Sequence, residues 1–280
     1  MVGGTYAMSI YFDITTQQSA LDFLLNLGFY YGELVMEYRQ NCSGDLDKFW
    51  MRNREKTDPL NIEDIRFVAF HVTASLDKCN EIKTSGLQNL QYVLSHRTKL
   101  SEGLRKCGII FDIEKQIMYI DGKGYDINYD RCCNKKMRSV LDERIASVSH
   151  RVYYDFCVDG FLYNDRVENY GSSIHERPEF ISTLIDLSPK AQKLDAFWRA
   201  NSEPYKVFFY ATADQIHKFT FDDLQENNLP YSKQEQLAIK KWMLLKAADR
   251  AFEYCHEDYL YIRDDCFIPA SQIIRYDPIA

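Results

Sequence analysis

The stretch Phe70–Leu87, FHVTASLDKCNEIKTSGL, decides the fold of this chain. The apolar run Ile65–His71 that leads into it is bounded by polar sequence, which predicts a buried strand. Ser75 predicts the cap of a helix that runs through Lys83, and Gly86 predicts its end, because serine caps helix starts and glycine favours helix stops. We therefore expect a strand that ends in His-x-Thr, followed at once by a short helix.

Outside this stretch, helices are expected early and strands late. Three- and four-residue apolar steps predict helices over 16–53, 87–106, 137–159 and 234–255. Short apolar runs predict strands over 107–112, 116–120, 160–163, 178–184, 205–211, 259–262 and 268–275. This order is typical of an α+β fold around a mixed, mostly antiparallel sheet, and it lacks the regular alternation of a doubly wound fold.

The composition is that of a globular protein, with 46% hydrophobic and 27% charged residues, which excludes a disordered chain. The net charge of -7, from 34 Lys+Arg against 41 Asp+Glu, argues against a sequence-blind polyanion binder but allows a local basic groove. The 20 Tyr and 17 Phe residues predict stacking surfaces for planar ligands in addition to core.

We expect a cytoplasmic protein without a membrane span or a metal. The N-terminus lacks the basic and apolar regions of a signal peptide, and no run reaches about 18 apolar residues. The eight cysteines form no Cys-x-x-Cys pair, so a zinc site is not indicated; the vicinal Cys132 and Cys133 are expected as reduced thiols. His175–Glu179 opens like a zinc-protease helix, but its second histidine is replaced by Glu179 and Pro178 interrupts it.

The stretch Phe70–Leu87 resembles the opening of the ADP-ribosyltransferase fold in its diphtheria-toxin and poly(ADP-ribose) polymerase branch, whose site is of the His-Tyr-Glu type. The resemblance implies that His71 hydrogen-bonds a ribose of NAD and that the backbone at Val72 holds the carboxamide. Thr73 would add a hydroxyl beside them. The alternative is a strand-end histidine at the rim of the core.

The same resemblance requires a glutamate on a later strand, followed by an aromatic and an aliphatic residue. Pro178-Glu-Phe-Ile181 supplies this pattern, 108 residues after His71, and makes Glu179 the candidate catalytic carboxylate. It would stabilise the oxocarbenium-like transition state as the nicotinamide–ribose bond of NAD breaks. Glu176 is the rival, and a surface carboxylate is the third interpretation.

The tyrosine that stacks on the nicotinamide is expected among Tyr119, Tyr125 and Tyr129, of which the position of Tyr125 after a turn is favoured. Tyr170–Ser173 could form a lip of the site, with Arg177 meeting a phosphate, or it could be plain loop. The segment Tyr261–Ile274 resembles the closing strand pair of the fold.

These expectations divide the chain into an N-terminal helical segment, residues 1–60, packed on a catalytic domain, residues 61–280. The resemblance implies a mono-ADP-ribosyltransferase that uses NAD to modify an intracellular macromolecule, as a toxin or an anti-phage effector. Nucleic acid is favoured over protein as the acceptor, because the basic run Arg131–Arg138 lies near tyrosines and could hold a single strand; the alternative, and the more common role of such a run, is a solvated helix start. An antitoxin or inhibitory partner is implied as well. The alternatives are a catalytically silent binding or regulatory member of the fold and an unrelated hydrolase.

Overall fold

The computed structural model describes residues 10–134, 136, 139–222, 224–226, 229–252 and 257–279. Helices and strands are mixed along the chain, and the sheets are antiparallel apart from one parallel pair. This arrangement confirms the predicted α+β class.

The described residues contain nine strands: β1 (Ile10–Phe12), β2 (Ile65–Ser75), β3 (Ile109–Asp112), β4 (Ile117–Ile120), β5 (Lys123–Asp126), β6 (Asp159–Asn164), β7 (Glu203–Ala211), β8 (Glu257–Tyr261) and β9 (Ile273–Pro278). They also contain eleven α-helices: α1 (Gln17–Asn26), α2 (Tyr31–Met36), α3 (Leu46–Asn53), α4 (Asn80–Ser85), α5 (Leu90–Ser95), α6 (Lys99–Lys106), α7 (Tyr129–Asn134), α8 (Val140–Tyr153), α9 (Glu179–Leu184), α10 (Pro189–Asn201) and α11 (Lys233–Phe252).

The chain forms two compact units from discontinuous stretches. The first comprises Met1–Phe70, Asp159–Asp165 and Phe208–Arg263, and the second comprises His71–Val158, Arg166–Val207 and Asp264–Ala280. These units do not divide at residue 60. The N-terminal helical segment belongs to the first unit because β1 pairs with β2 and α1 packs on α11.

In the first unit, the strands follow the order β8-β6-β2-β7, with β1 parallel to β2; β2 contributes its residues 65–70 to this unit and β7 its residues 208–211. Phe70 lies opposite Phe161 on β6, and Phe161 lies opposite Tyr259 on β8. Aromatic rings also cover the face of the sheet opposite Phe70. There, the ring centroids of Trp242 on α11 and Phe12 on β1 are 5.5 Å apart. This unit therefore absorbs much of the aromatic content as ordinary core.

The second unit holds an antiparallel three-stranded sheet in the order β3-β4-β5. Its buried residues form one hydrophobic cluster with residues from α5, α6, α8, α9 and α10. Trp198 of α10 donates an indole N–H to the carbonyl of Ala74 on β2 at 2.8 Å. The bond fixes α10 to the strand that carries His71.

The predicted strand over Pro178–Leu184 is wrong, because this segment forms helix α9. Phe180, Ile181 and Leu184 are its buried side chains, at the one- and four-residue spacing that places them on one helical face. Pro178 stands at the N-cap, where its missing N–H costs no helical hydrogen bond.

Other elements agree in type and differ in their bounds. The predicted helix over 16–53 is present as α1 to α3, interrupted at Gly28 and Gly44, both with positive φ. The predicted helix over 87–106 is split into α5 and α6. Among the described helices, none is long and apolar enough to cross a membrane.

Candidate functional site

The face of β2 that carries His71 is more exposed than its opposite face. Val72 and Ala74 are buried, whereas His71, Thr73 and Ser75 are half-buried. Because side chains alternate along a strand, His71 and Thr73 share one face, and the Val72 side chain belongs to the other. The structure thus places the predicted imidazole and hydroxyl side by side.

The turn after β2 is fixed by its own polar side chains. Ser75 Oγ accepts from the Cys79 N–H at 2.8 Å and donates to Asp77 at 3.0 Å. Asp77 accepts from the N–H groups of Asn80 and Glu81 at 3.1 and 3.2 Å. The N-cap residue of α4 is Cys79, with φ +59°, and the carboxylate of Asp77 accepts from the first two N–H groups of the helix. The predicted cap at Ser75 is therefore wrong: Ser75 ends the strand and shapes the turn.

Gly86 ends α4 as predicted, and it brings together two of the three segments that carry the family resemblance, Phe70–Leu87 and Tyr261–Ile274. Leu87 donates to the carbonyl of Ile268 at 2.8 Å, and Ile268 donates back at 3.0 Å. Gly86 has φ +76°, and a Cβ there would lie 2.0 Å from the Ile268 oxygen. Only glycine allows this close approach of two backbones.

Of the three tyrosines predicted to stack on the nicotinamide, Tyr119 and Tyr125 lie on opposite faces of the small sheet, and Tyr129 begins helix α7. Tyr125 pairs with the buried Met118 and packs against the hydrophobic cluster, with Lys123 Nζ 5.1 Å from its ring centroid. Tyr119 pairs with Gly124 and points to the other face. One flat binding surface cannot use both rings.

Glu179 is the first residue of α9 and is half-buried. Its carboxylate forms an ion pair with Arg151 of α8, which also pairs with Asp155. Burial alone would lower the pKa of the Arg151 guanidinium, but Glu179 and Asp155 more than offset it, so that this pKa is raised. The carboxylate predicted to act on NAD is thus neutralised by a cation.

Arg177 is buried rather than open to a phosphate. It forms an ion pair with Asp195 of α10 and donates to the carbonyl of Ser172 at 2.7 Å. Arg177 thereby ties the Tyr170–Ser173 segment to α10. The rival carboxylate, Glu176, is paired with Arg199 of the same helix.

The described strands contain two glutamates that sequence reasoning did not consider. Glu203 begins β7; it accepts from Tyr205 Oη at 2.7 Å and lies 3.8 Å from Lys78 Nζ. Glu257 begins β8; it accepts from Tyr259 Oη at 2.7 Å and from Asn164 at 2.9 Å. Glu257 is followed, after one intervening residue, by an aromatic and an aliphatic residue. This pattern could have marked Glu257 as a candidate from the sequence.

No group of three or more His, Cys, Asp or Glu side chains is arranged to hold a metal ion in the part of the chain that the structure describes. No protein-family model matches the chain, and searches of curated proteins and of solved structures find no match either. The function is therefore inferred from the residues of this chain alone.

Proposed function

We propose that this chain is an NAD-dependent mono-ADP-ribosyltransferase of the His-Tyr-Glu type that modifies an intracellular macromolecule. The observation that carries the proposal is the backbone pairing of Leu87 with Ile268 across Gly86. The pairing joins two of the three sequence segments that resemble the family, Phe70–Leu87 and Tyr261–Ile274, and it lies shortly after the strand on which His71 and Thr73 share a half-buried face.

The reaction breaks the bond between nicotinamide and the C1′ atom of its ribose. Nicotinamide leaves with the bond electrons, and a nucleophile of the acceptor bonds to C1′ and loses its proton. His71 would hydrogen-bond a ribose hydroxyl, Thr73 would add a second polar contact, and the backbone at Val72 would bind the carboxamide. A carboxylate near the ring would stabilise the positive charge that develops on the ribose.

Glu179 is the carboxylate that the sequence pattern predicts, and its ion pair with Arg151 would have to open before it contacts a ribose. The strand glutamates Glu203 and Glu257 meet the requirement for a strand position that Glu179 does not. The assay therefore compares glutamine substitutions at all three, with Glu114→Gln, an exposed turn residue, as the control.

The test incubates the protein with NAD labelled in its adenylate part and with separate pools of RNA, DNA and protein. We expect nicotinamide release and transfer of label to one pool. His71→Ala and one of the three glutamate variants should reduce both by about 100-fold or more, as expected for groups that act on the transition state. Label transfer that survives His71→Ala would contradict the proposal.

The resemblance also supports a role as a toxin or an anti-phage effector with an inhibitory partner. We expect induced expression of the chain to arrest bacterial growth and His71→Ala to abolish the arrest. Equal arrest by both proteins would contradict a role that depends on NAD cleavage.

A second candidate function is a catalytically silent binding or regulatory module of the same fold. The pairing of Glu179 with Arg151, on a helix, favours it. Nicotinamide release distinguishes the two functions, since a silent module would release none. Calorimetry would then show whether such a module binds NAD.

A further inference from the structure

Three aromatic side chains of the second unit contact one another near the surface, and we call them the aromatic platform: the half-buried Tyr129 and the exposed His150 and Tyr154. The rings of Tyr129 and Tyr154 are nearly parallel, 19° between planes and 5.4 Å between centroids. His150, one turn before Tyr154 along α8, lies 4.8 Å from the Tyr154 ring. His150 is tilted by 44° to Tyr154 and lies edge-on to Tyr129 at 63°, so the ring face available for stacking is the outer face of the exposed Tyr154.

The platform is not explained by the core. Tyr154 is 64% exposed, and none of the three side chains belongs to the hydrophobic cluster of this unit. Its helix reaches that cluster through other residues, Val148 and Val152. Burying apolar area is therefore not what holds three rings together at this place.

The predicted basic run Arg131–Arg138 follows Tyr129 along the chain, and of its four cations Arg131 and Lys136 lie within the described residues, whereas Lys135 and Arg138 lie outside them. Residues 126–138 contain four basic and two acidic side chains, against a net charge of -7 for the whole chain. Arg131 pairs with Asp126 at 2.9 Å, but both side chains are exposed, and such a pair is weak enough to exchange for a phosphate. Lys136 is exposed as well.

Helix α8 also connects the platform to the proposed site. His150 and Tyr154 are each followed in sequence by a charged residue of the Glu179 ion-pair group, Arg151 and Asp155 respectively. The platform and the Glu179 ion-pair group therefore both lie at the C-terminal end of α8, on different sides of the helix.

We propose that the aromatic platform binds an unpaired base of a single-stranded nucleic acid, and that this strand is the acceptor of the ADP-ribose. Aromatic faces next to cationic side chains are the combination that binds single strands, since bases stack on the rings and phosphates meet the cations. A duplex hides the faces of its bases and is excluded. The role of the strand as acceptor rests on the proposed transferase activity, whereas the binding of a strand by the platform is independent of that activity.

The test measures fluorescence anisotropy of labelled oligonucleotides of about 12 nucleotides, within the usual site size, with the full chain and without NAD. We expect a single strand to bind more tightly than a hairpin duplex of the same composition. Tyr154→Ala should weaken single-strand binding by about 5- to 100-fold, and Tyr154→Phe, which keeps the ring, by no more than about twofold.

The matched control is Phe197→Ala, which removes an aromatic side chain of α10 that is 53% exposed in the same unit. It should leave binding unchanged. Absence of binding, equal binding of duplex and single strand, or equal effects of Tyr154→Ala and Phe197→Ala would each overturn the proposal. NAD cleavage that persists without strand binding would leave the proposed function intact, and strand binding without NAD cleavage would contradict the function alone.

Transfer of label then tests the acceptor. We expect label on the single-stranded oligonucleotide. Tyr154→Ala should lose this transfer but still release nicotinamide by hydrolysis of NAD. Label that appears on protein in place of the oligonucleotide would overturn the assignment.

Discussion

The stretches His71–Leu87 and Tyr170–Leu184 are held in place by different interactions. Hydrogen bonds of the backbone fix the first: its turn N–H groups donate to short polar side chains such as Ser75, and the end of the stretch pairs with the backbone of Ile268. Charged side chains fix the second, where Arg177 is buried against Asp195 and Ser172.

The difference shows how each stretch can fail. A backbone approach tolerates no added atom, so a single methyl group disrupts the first stretch. A buried ion pair fails when one partner is removed, because the other charge stays desolvated and uncompensated. Loss of one partner therefore costs more than loss of both.

Gly86→Ala should cause the largest loss of stability, at least about 4 kcal/mol. The added Cβ would meet the Ile268 oxygen at 2.0 Å, and alanine strongly disfavours φ +76°. Chemical denaturation of both proteins measures the difference in the free energy of unfolding.

Gly28→Ala is the matched control, since Gly28 has φ +84° but nothing within 4 Å of a built Cβ. It should cost only the backbone strain, about 1 kcal/mol. Equal losses for the two variants would show that strain, and not the contact with Ile268, makes glycine necessary at position 86.

Asp195→Asn should destabilise the protein by about 3 kcal/mol, because it leaves the buried Arg177 without its counter-charge. It also removes the 2.9 Å bond from Arg199. The double substitution Arg177→Met with Asp195→Leu should recover most of this loss, since the apolar pair leaves no unpaired charge.

Asp186→Asn serves as its control. Asp186 pairs with Arg144, but both side chains are about half exposed, so the loss should stay below about 1 kcal/mol. A double variant at Arg177 and Asp195 that is less stable than Asp195→Asn would refute the role assigned to the ion pair.

Trp198→Phe tests whether the two stretches are coupled, because α10 carries both Asp195 and the indole that bonds to Ala74. It leaves the buried Ala74 carbonyl without this donor. Trp242→Phe is the matched control, since Trp242 is equally buried and its indole N–H has no hydrogen-bond partner among the described residues. We expect Trp198→Phe to cost about 1–1.5 kcal/mol more by thermal denaturation, and equal costs would contradict the coupling.

The sequence predicts the first stretch well because local rules determine it. An apolar run makes β2, and Gly86 stops α4, both within a window of a few residues. The Asp121-Gly122 turn is also local, and such a pair favours a tight hairpin. This turn could have predicted β5, which a search for apolar runs misses because Lys123–Asp126 contains few apolar residues.

The second stretch is less predictable because its partners lie far away along the chain. Nothing near Arg177 indicates that Asp195 neutralises it, and nothing near Glu179 indicates Arg151. The apolar run from Pro178 to Leu184 is so short that its pattern fits a buried strand as well as a short helix. The strand prediction failed there, and with it the strand position expected for the catalytic glutamate.

Glu203→Gln should have the smallest effect, below about 1 kcal/mol at neutral pH, because the Glu203 side chain is half exposed. The hydrogen bond from Tyr205 to Glu203, aided by burial, raises the pKa of the tyrosine from 10.0 to about 12. A raised pKa stabilises the fold while the phenol is protonated. This contribution is therefore fully present below pH 10 and disappears as the pH rises through about 12.

The stability difference between the parent and Glu203→Gln should accordingly stay constant up to about pH 10 and shrink above it. Glu114→Gln, exposed and outside both stretches, should show no such trend. Glu203 also lies near Lys78 of the first stretch, so a loss as large as that of Asp195→Asn would mean that charged side chains hold this stretch too. A small, alkali-sensitive loss would leave its backbone contacts as the dominant interaction.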